Sequence, residues 1–181
     1  MLPHRPVVLG AKLLPQSGGR APAFSHVQPD SHYDDHDELM SIGAPFGRHF
    51  GLTRIGIHHE RLPPGRRTSF PHAESAEEEF VYVISGMPDV WLDGTLHRLK
   101  PGDGVGFPSG TGLAHTFINN TEGEVELLVV GETSKHWNRI IYPMNPERRR
   151  YRPDWWDHAP ERPLGGHDGV PDKVLAADAK A

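Results

Sequence analysis

The sequence has no cysteine among its 181 residues, which excludes a whole group of chemistries. Disulfide bonds, thiolate metal ligands and cysteine nucleophiles are ruled out, so a transition-metal site would have to use imidazole and carboxylate groups. Long hydrophobic runs are also missing: nowhere do about 18 consecutive apolar residues occur, as a membrane-spanning helix requires. The first residues hold only the short apolar run 7–9, so the sequence predicts no targeting segment and no membrane partner. We expect a cytoplasmic location.

Basic residues are not in excess either. The chain has 19 Lys and Arg against 24 Asp and Glu, which gives a net charge of -5 and a pI of about 6.2. Domains that bind nucleic acid usually carry a basic patch or stripe. The composition therefore argues against a nucleic-acid partner.

Turn-forming residues, in contrast, are abundant, with 20 Gly and 18 Pro. They separate short runs that are rich in β-branched and aromatic residues, a pattern typical of an all-β sandwich or barrel. Asp93-Gly94 is a pair that favours a tight β-hairpin, and no internal repeat indicates a second barrel. The predicted strands are 51–62, 80–84, 90–92, 96–99, 105–107, 114–118, 125–130 and 139–142.

The chain divides into three parts by its hydrophobic pattern. Residues 1–45 sustain neither a helical nor a strand period, and we predict an irregular N-terminal arm, with one short strand at 7–9, that lies on the domain or on a partner subunit. Residues 46–142 are predicted to form the barrel. Residues 143–181 are predicted to be an irregular tail that packs on the barrel through Tyr151, Trp155 and Trp156.

Two blocks punctuated by glycine and proline carry the residues with metal-binding chemistry. The first, Gly65 to Gly86, contains His72, Glu74 and Glu79, and the second contains His115. His72 and Glu74 are an even step apart, so in a strand they point to the same face. Two imidazoles and two carboxylates suit a divalent transition metal such as Fe, Mn, Zn or Ni. The alternative is that the acidic residues around Glu74 form only a solvated loop.

These two blocks resemble the paired motifs of the cupin superfamily, which are small double-stranded β-helix or jelly-roll barrels. The first family motif has a glycine, then His-x-His, a glutamate and a second glycine. The second has a glycine, Pro-x-Gly, a histidine and an asparagine. The matching residues are Gly65, His72, Glu79 and Gly86 in the first block and Gly102, Pro108, Gly110, His115 and Asn119 in the second.

The resemblance covers roughly residues 50 to 132 and implies a small jelly-roll barrel with one divalent transition metal. The implied ligands are His72, Glu74, Glu79 and His115. Glu74 stands where the family has its second histidine, the gap from Gly65 to His72 is one residue longer, and the loop before His115 is two residues longer. These departures weaken a simple transfer of activity.

The leading functional interpretation is a metal-binding cupin enzyme, an oxygenase, lyase or isomerase acting on a small polar metabolite. His59 is the acid–base candidate, because it shares a strand face with Ile55 and Ile57, whereas His58 lies on the face expected to meet solvent or an interface. The alternative is a non-catalytic cupin that binds a small ligand, such as a sugar or an organic acid, or serves as a scaffold. Replacement of a family histidine by Glu74 favours that alternative.

The two extensions also predict a homodimer. An arm or an edge strand of one copy would cover the exposed sheet edge of the neighbouring barrel.

Overall fold

The computed structural model describes residues 37–172. Residues 1–36, with the strand expected at 7–9, and residues 173–181 of the expected tail lie outside the described residues. The described part is built from ten β-strands, a one-turn α-helix and a 3₁₀-helix. In chain order these are β1 (Ile42–Pro45), α1 (Phe46–His49), β2 (Ile55–Leu62), β3 (Ala73–Glu74), β4 (Glu79–Ser85), β5 (Asp89–Leu92), β6 (Thr95–Arg98), β7 (Gly104–Phe107), β8 (His115–Ile118), β9 (Val125–Glu132), β10 (Ile140–Ile141) and the 3₁₀-helix Pro146–Arg150.

The strands form three antiparallel sheets. The five-stranded sheet has the order β1-β2-β9-β4-β7, the three-stranded sheet β6-β5-β8, and the small sheet pairs β10 with β3. Leu127 of the first sheet and Phe117 of the second belong to one buried cluster, so the two larger sheets pack face to face. The expected all-β jelly-roll architecture is confirmed, although the sheets of residues 37–172 do not join into one closed, hydrogen-bonded barrel.

Strand β4 shows how the sequence separates the two faces of the five-stranded sheet. Val81 and Val83 are each 1% exposed and pack in the core, which defines the inner face. Phe80, Tyr82 and Ile84 alternate with them and are 45%, 40% and 42% exposed. Successive residues of a strand point to opposite faces, so these three side chains lie on the outer face.

The predicted strands from residue 80 to residue 130 agree with the structure to within a few residues. Asp93 and Gly94 connect β5 to β6 with φ values of 44° and 88°, as the predicted two-residue hairpin turn requires. The first predicted strand begins later than expected, at Ile55. Two strands were missed: Ile42–Pro45 pairs with β2 at the end of the segment expected to be an irregular arm, and Ala73–Glu74 pairs with β10.

The segment 143–172 runs along the outer face of the three-stranded sheet. The indole Nε1 of Trp91, a fully buried side chain, donates to the carbonyl of His167 at 2.8 Å, and Arg67 Nη1 donates to the carbonyl of Gly169 at 2.8 Å. Trp156 packs against the cluster that contains Trp91. The two large sheets therefore differ within the described residues, because the segment 143–172 covers the outer face of the three-stranded sheet only.

No helix within residues 37–172 has the length and apolar character needed to cross a membrane.

Candidate functional site

The two candidate histidines come from different blocks of the sequence and are joined through their backbones. His72 N–H donates to the carbonyl of His115 at 3.2 Å, and His115 N–H donates to the carbonyl of His72 at 2.9 Å. Their ring centroids lie 5.0 Å apart. The His115 ring stacks on Phe107 with a centroid separation of 3.5 Å. Both imidazoles are thereby placed side by side at the start of β8.

Glu79 reaches the same place from the five-stranded sheet. It is the first residue of β4 and pairs with Phe107 of β7 and Gly131 of β9. The distance from Glu79 Oε1 to His115 Nε2 is 3.3 Å. His72, Glu79 and His115 line one cavity of about 90 Å³, so the structure brings three of the four predicted metal ligands together.

The orientation of His72 is set by a backbone carbonyl. Its Nδ1–H donates to the carbonyl of Phe70 at 2.9 Å, which leaves Nε2 with a free lone pair. Histidines that bind metals commonly donate their other ring N–H in this way. Burial, together with the neighbouring His115, lowers the pKa of His72 to about 4, so the ring is neutral at pH 7.

Glu79 is held in its charged form despite its surroundings. Burial alone would raise the pKa of this carboxyl. The hydrogen bond from His115 and the charges of the nearby histidines outweigh burial, so the pKa of Glu79 lies below its ordinary value. The cavity therefore combines a neutral imidazole with a carboxylate, both in a suitable state to bind a cation.

Glu74, the fourth predicted ligand, lies apart from this cavity. It pairs with Ile140 in the small sheet and lines a separate narrow recess with Glu77, Glu79 and His115. Burial and the charges of Glu77 and Glu79 raise its pKa to about 7. Glu74 is thus close to the other three residues but is not among those that line the 90 Å³ cavity.

The inner face of β2 carries two polar residues that the sequence analysis had not placed in the site. His58 pairs with Val129, Glu60 with Leu127 and Leu62 with Val125, and Leu62 is fully buried. Glu60 lines the 90 Å³ cavity. The charge of Glu79 acts on His58, whose pKa is nevertheless lowered, mainly by burial. The expectation that His58 faces solvent or an interface is wrong.

His59, the predicted acid–base residue, lies on the outer face of β2. Its ring stacks on Phe46 with centroids 6.3 Å apart, and its Nε2 is 3.8 Å from Glu126 Oε2. This position does not support the predicted catalytic role. The alternation along β2 was read correctly, but its faces were assigned the wrong way round. Leu62 was the available signal for the inner face, since it lies an even number of residues from His58 and Glu60 and is fully buried.

The residues present fit a divalent metal by their donor chemistry. Within residues 37–172, no three His, Asp or Glu side chains already surround a common point as metal ligands do. Each imidazole nevertheless has a ring nitrogen placed for a ligand: His72 Nε2 carries a lone pair, and His115 Nε2 lies 3.3 Å from Glu79 Oε1. Two imidazoles and one carboxylate are donors that suit Fe(II), Mn(II), Zn(II) and Ni(II).

The jelly-roll sheets and the polar cavity between them define the class of protein. Residues 58–131 match the family model described as a cupin domain. With the architecture and the paired motifs, this match supports a cupin-superfamily assignment for residues 58–131.

Three similar proteins extend this comparison. Protein SchB from Streptomyces halstedii is 29% identical over 109 residues, which are 60% of this chain and 74% of SchB. A crystal structure from Acidithiobacillus ferrooxidans, of a protein provisionally named a sugar phosphate isomerase, is 30% identical with a TM-score of 0.55. The similarity covers 58% of this chain and 65% of that one.

A sugar phosphate isomerase of the cupin superfamily from Silicibacter pomeroyi is 32% identical, with a TM-score of 0.53. The similarity covers 55% of this chain and 63% of that one, so this chain spans less than two thirds of either solved chain.

Proposed function

We propose that this protein is a metal-dependent cupin enzyme of the isomerase type that acts on a small polar metabolite. His72, Glu79 and His115 would hold one divalent transition metal, with Glu74 as a nearby additional carboxylate. The observation that carries the proposal is the convergence of these three side chains on one cavity of about 90 Å³. A bound divalent cation would polarise a carbonyl oxygen of the substrate.

The side chains around the cavity suit a small oxygen-rich substrate. Thr68 and Ser69 line it beside the candidate ligands and can donate hydrogen bonds to substrate hydroxyl groups. Val81 and Phe117 supply apolar walls that would exclude bulk water. In such surroundings the interactions between charged groups are stronger than in water, which favours the formation of an enolate from a carbonyl compound.

A second recess, of about 430 Å³, supports a substrate that carries an anionic group. Arg48, His58 and Ser134 are among its lining residues. Arg48 forms no ion pair within the part of the chain that the structure describes. An arginine without an acidic partner is a suitable binding group for a phosphate or a carboxylate. A sugar phosphate, the substrate class in the names of the two solved relatives, would meet this requirement.

The first test is the metal content of the purified, tag-free protein, measured by mass spectrometry. We expect about one equivalent of Fe, Mn, Zn or Ni in the wild type and less than about a tenth of that in Glu79→Gln and His115→Ala, because each variant loses one donor. His97→Ala is the matched control, since His97 is an exposed residue of β6. A wild-type protein that takes up none of these metals would refute the metal centre.

The second test addresses the reaction. We expect the metal-loaded protein to interconvert an aldose phosphate and the corresponding ketose phosphate, and the chelated protein not to do so. A panel of three-, five- and six-carbon sugar phosphates can be followed by NMR. A metal-loaded protein that binds these compounds without converting them would favour the non-catalytic, ligand-binding interpretation.

The homodimer is also proposed, and the exposed apolar side chains support it. Phe80, Tyr82 and Ile84 stand on the outer face of the five-stranded sheet, which the described tail does not cover. A second copy packed on this face would remove them from water, and about 25 cal/mol is gained per Å² of apolar surface buried. The cytoplasmic location and the lack of a nucleic-acid partner stay predictions of the sequence.

A further inference from the structure

Glu60 is a carboxylic acid in the interior of the jelly roll. It lies in the middle of β2, where its backbone pairs with Gly43 of β1 and Leu127 of β9. Its Oε2 accepts a hydrogen bond from Ser41 Oγ at 2.5 Å. No Lys, Arg or His of residues 37–172 forms an ion pair with it. Carboxylates in such positions are normally paired with a cation, so Glu60 departs from the usual pattern.

The Glu60 side chain opens onto the site already described. It lines the same 90 Å³ cavity as His72, Glu79 and His115. It approaches from β2, whereas the two histidines approach from the facing side of the fold. A group bound in the cavity would therefore lie between the two histidines and the Glu60 carboxyl, with Glu79 on the same sheet as Glu60.

A purely structural role does not account for a carboxylic acid here. The residues in register with Glu60 on the inner face are Leu127 and Val83, which are fully or almost fully buried and apolar. An apolar residue or glutamine would fill this position without the cost of burying an ionisable group. Burial, with the charge of Glu79 in the same direction, raises the pKa of Glu60 to about 7, although the Ser41 hydrogen bond acts against it. Both protonation states are therefore accessible near neutral pH, as an acid–base group requires.

We propose that Glu60 is the acid–base residue that moves the substrate proton in this cavity. The assignment rests on the proposed isomerase function. The ionised carboxyl takes the proton from the carbon next to the substrate carbonyl, so that the C–H bond breaks and an O–H bond forms on Glu60. The C–H electron pair becomes the C=C bond of an enediolate, and the carbonyl π pair moves to oxygen.

Glu60 then returns the proton to the former carbonyl carbon, and the hydroxyl proton of the neighbouring carbon moves to the other oxygen. The carbonyl group is thus transferred by one carbon. The step needs no oxidant or reductant, because substrate and product are isomers.

The test compares Glu60→Gln with Glu126→Gln. Glutamine keeps the size of the side chain and an oxygen that can accept from Ser41, but it cannot carry the proton. Glu126 lies on the neighbouring strand β9 with its side chain 38% exposed, so its variant is the matched control. Each metal-loaded protein is incubated in D₂O with glyceraldehyde 3-phosphate, ribose 5-phosphate and glucose 6-phosphate, and deuterium incorporation at carbon is measured by NMR.

We expect Glu60→Gln to exchange at least about 100-fold more slowly than the wild type and to keep its metal content, whereas Glu126→Gln exchanges at the wild-type rate. Exchange by Glu60→Gln within threefold of the wild type would overturn the assignment. So would loss of metal in this variant, because Glu60 would then be a ligand. A metal-loaded wild type that exchanges none of the three compounds would refute the proposed function itself and this assignment with it.

A readout that does not depend on activity is the carboxyl ¹³C spectrum of the metal-free protein with labelled glutamate. We expect one of the signals that titrate near pH 7 to be missing in Glu60→Gln. If the missing signal instead titrates near the ordinary value of 4.5, Glu60 does not have the proton affinity that the role requires.

Discussion

His72 and His115 form a two-way backbone hydrogen-bonded bridge outside the regular sheets, and their rings lie 5.0 Å apart. The bridge joins the two sequence blocks at the point where each supplies its histidine. The separation of the imidazoles is therefore set by main-chain hydrogen bonds and not by the flexible loops between the blocks. A site built in this way is already organised before a ligand binds.

Metal removal should lower the stability of the protein. With free metal at 100 times its dissociation constant, binding to the folded state stabilises it by about 2.7 kcal/mol. For a chain of this size that corresponds to a melting temperature about 5–10 °C higher than in the presence of a chelator. We expect no such difference in His115→Ala. If calorimetry showed an equal increase in the melting temperature of this variant on adding metal, the metal would have to bind elsewhere.

Substitution of Glu74 should separate its role from that of Glu79. Because Glu74 lines a different recess, we expect Glu74→Gln to keep about one equivalent of metal, whereas Glu79→Gln loses it. The variant should also be more stable than the wild type at pH 8, since it removes a carboxylate that faces Glu77 and Glu79. Metal analysis and thermal melting of the two variants test this directly. Loss of metal in both would show that Glu74 is a ligand.

The contribution of Glu60 to the stability of the metal-free protein should fall as the pH rises from about 4.5 to 7. In this range the Glu60 carboxyl ionises in the unfolded chain but stays protonated in the folded protein, where its pKa is about 7. At this side chain the folded state binds more protons than the unfolded chain, so the Glu60 contribution to stability decreases with increasing pH. A pKa raised from 4.5 to about 7 corresponds to a decrease of about 3 kcal/mol in the Glu60 contribution to the free energy of unfolding.

Glu60→Gln lacks this titration but keeps the other groups that face the cavity, namely His72, Glu79 and His115. Between pH 4.5 and pH 8, the free energy of unfolding of Glu60→Gln should therefore rise by about 3 kcal/mol relative to that of the wild type. Urea unfolding at the two pH values measures the difference. If the difference in the free energy of unfolding between the two proteins were the same at both pH values, the raised pKa of Glu60 would be contradicted.

Disruption of the outer apolar face should dissociate the proposed homodimer. We expect the wild type to have twice the mass of the 20.1 kDa chain in light scattering and Phe80→Glu to have the mass of one chain. The introduced charge would have to be buried between two copies, which is strongly unfavourable. Trp137→Glu is the control, because Trp137 is 57% exposed and lies outside the five-stranded sheet. A wild type that is monomeric would refute the proposal.

The hairpin between β5 and β6 should not tolerate a side chain at Gly94. A Cβ atom there would lie 2.4 Å from Gly165 N, and φ is 88°. We expect Gly94→Ala to destabilise the protein by about 2 kcal/mol or more, from strain at positive φ and the displaced tail. Gly123→Ala is the control, since nothing lies within 4 Å of the added atom. Denaturant unfolding of both variants measures the two effects.

The strands from β4 to β9 could be predicted because their signals are local. Alternation within each run and turn pairs such as Asp93-Gly94 are visible in a few neighbouring residues. Strand β1 could not be found in this way. Ile42–Pro45 has no alternating pattern, and it becomes a strand because Gly43 and Ala44 pair with Glu60 and His59 of β2.

The residues of the candidate site also fall into two groups, those that local sequence signals reveal and those that they do not. The motif spacings singled out His72, Glu79 and His115, which meet at one cavity. Glu60 was missed, because alternation along β2 shows which residues share a face but not which face is buried. Ile55 and Ile57 favoured the wrong face. Ile55 is 43% exposed, on the same outer face as Phe80 and Tyr82, so apolar residues are poor markers of the interior on this strand.

The close approach of Gly94 and Gly165 has a consequence for the comparison of related sequences. A Cβ atom on either glycine would lie 2.4 Å from the backbone of the other, so neither position admits substitution while the tail is in place. In a relative without this tail, only the positive φ of the turn would restrict position 94, and asparagine or aspartate would be acceptable. A residue other than glycine at this turn therefore indicates, in sequence alone, a cupin without a tail in this position.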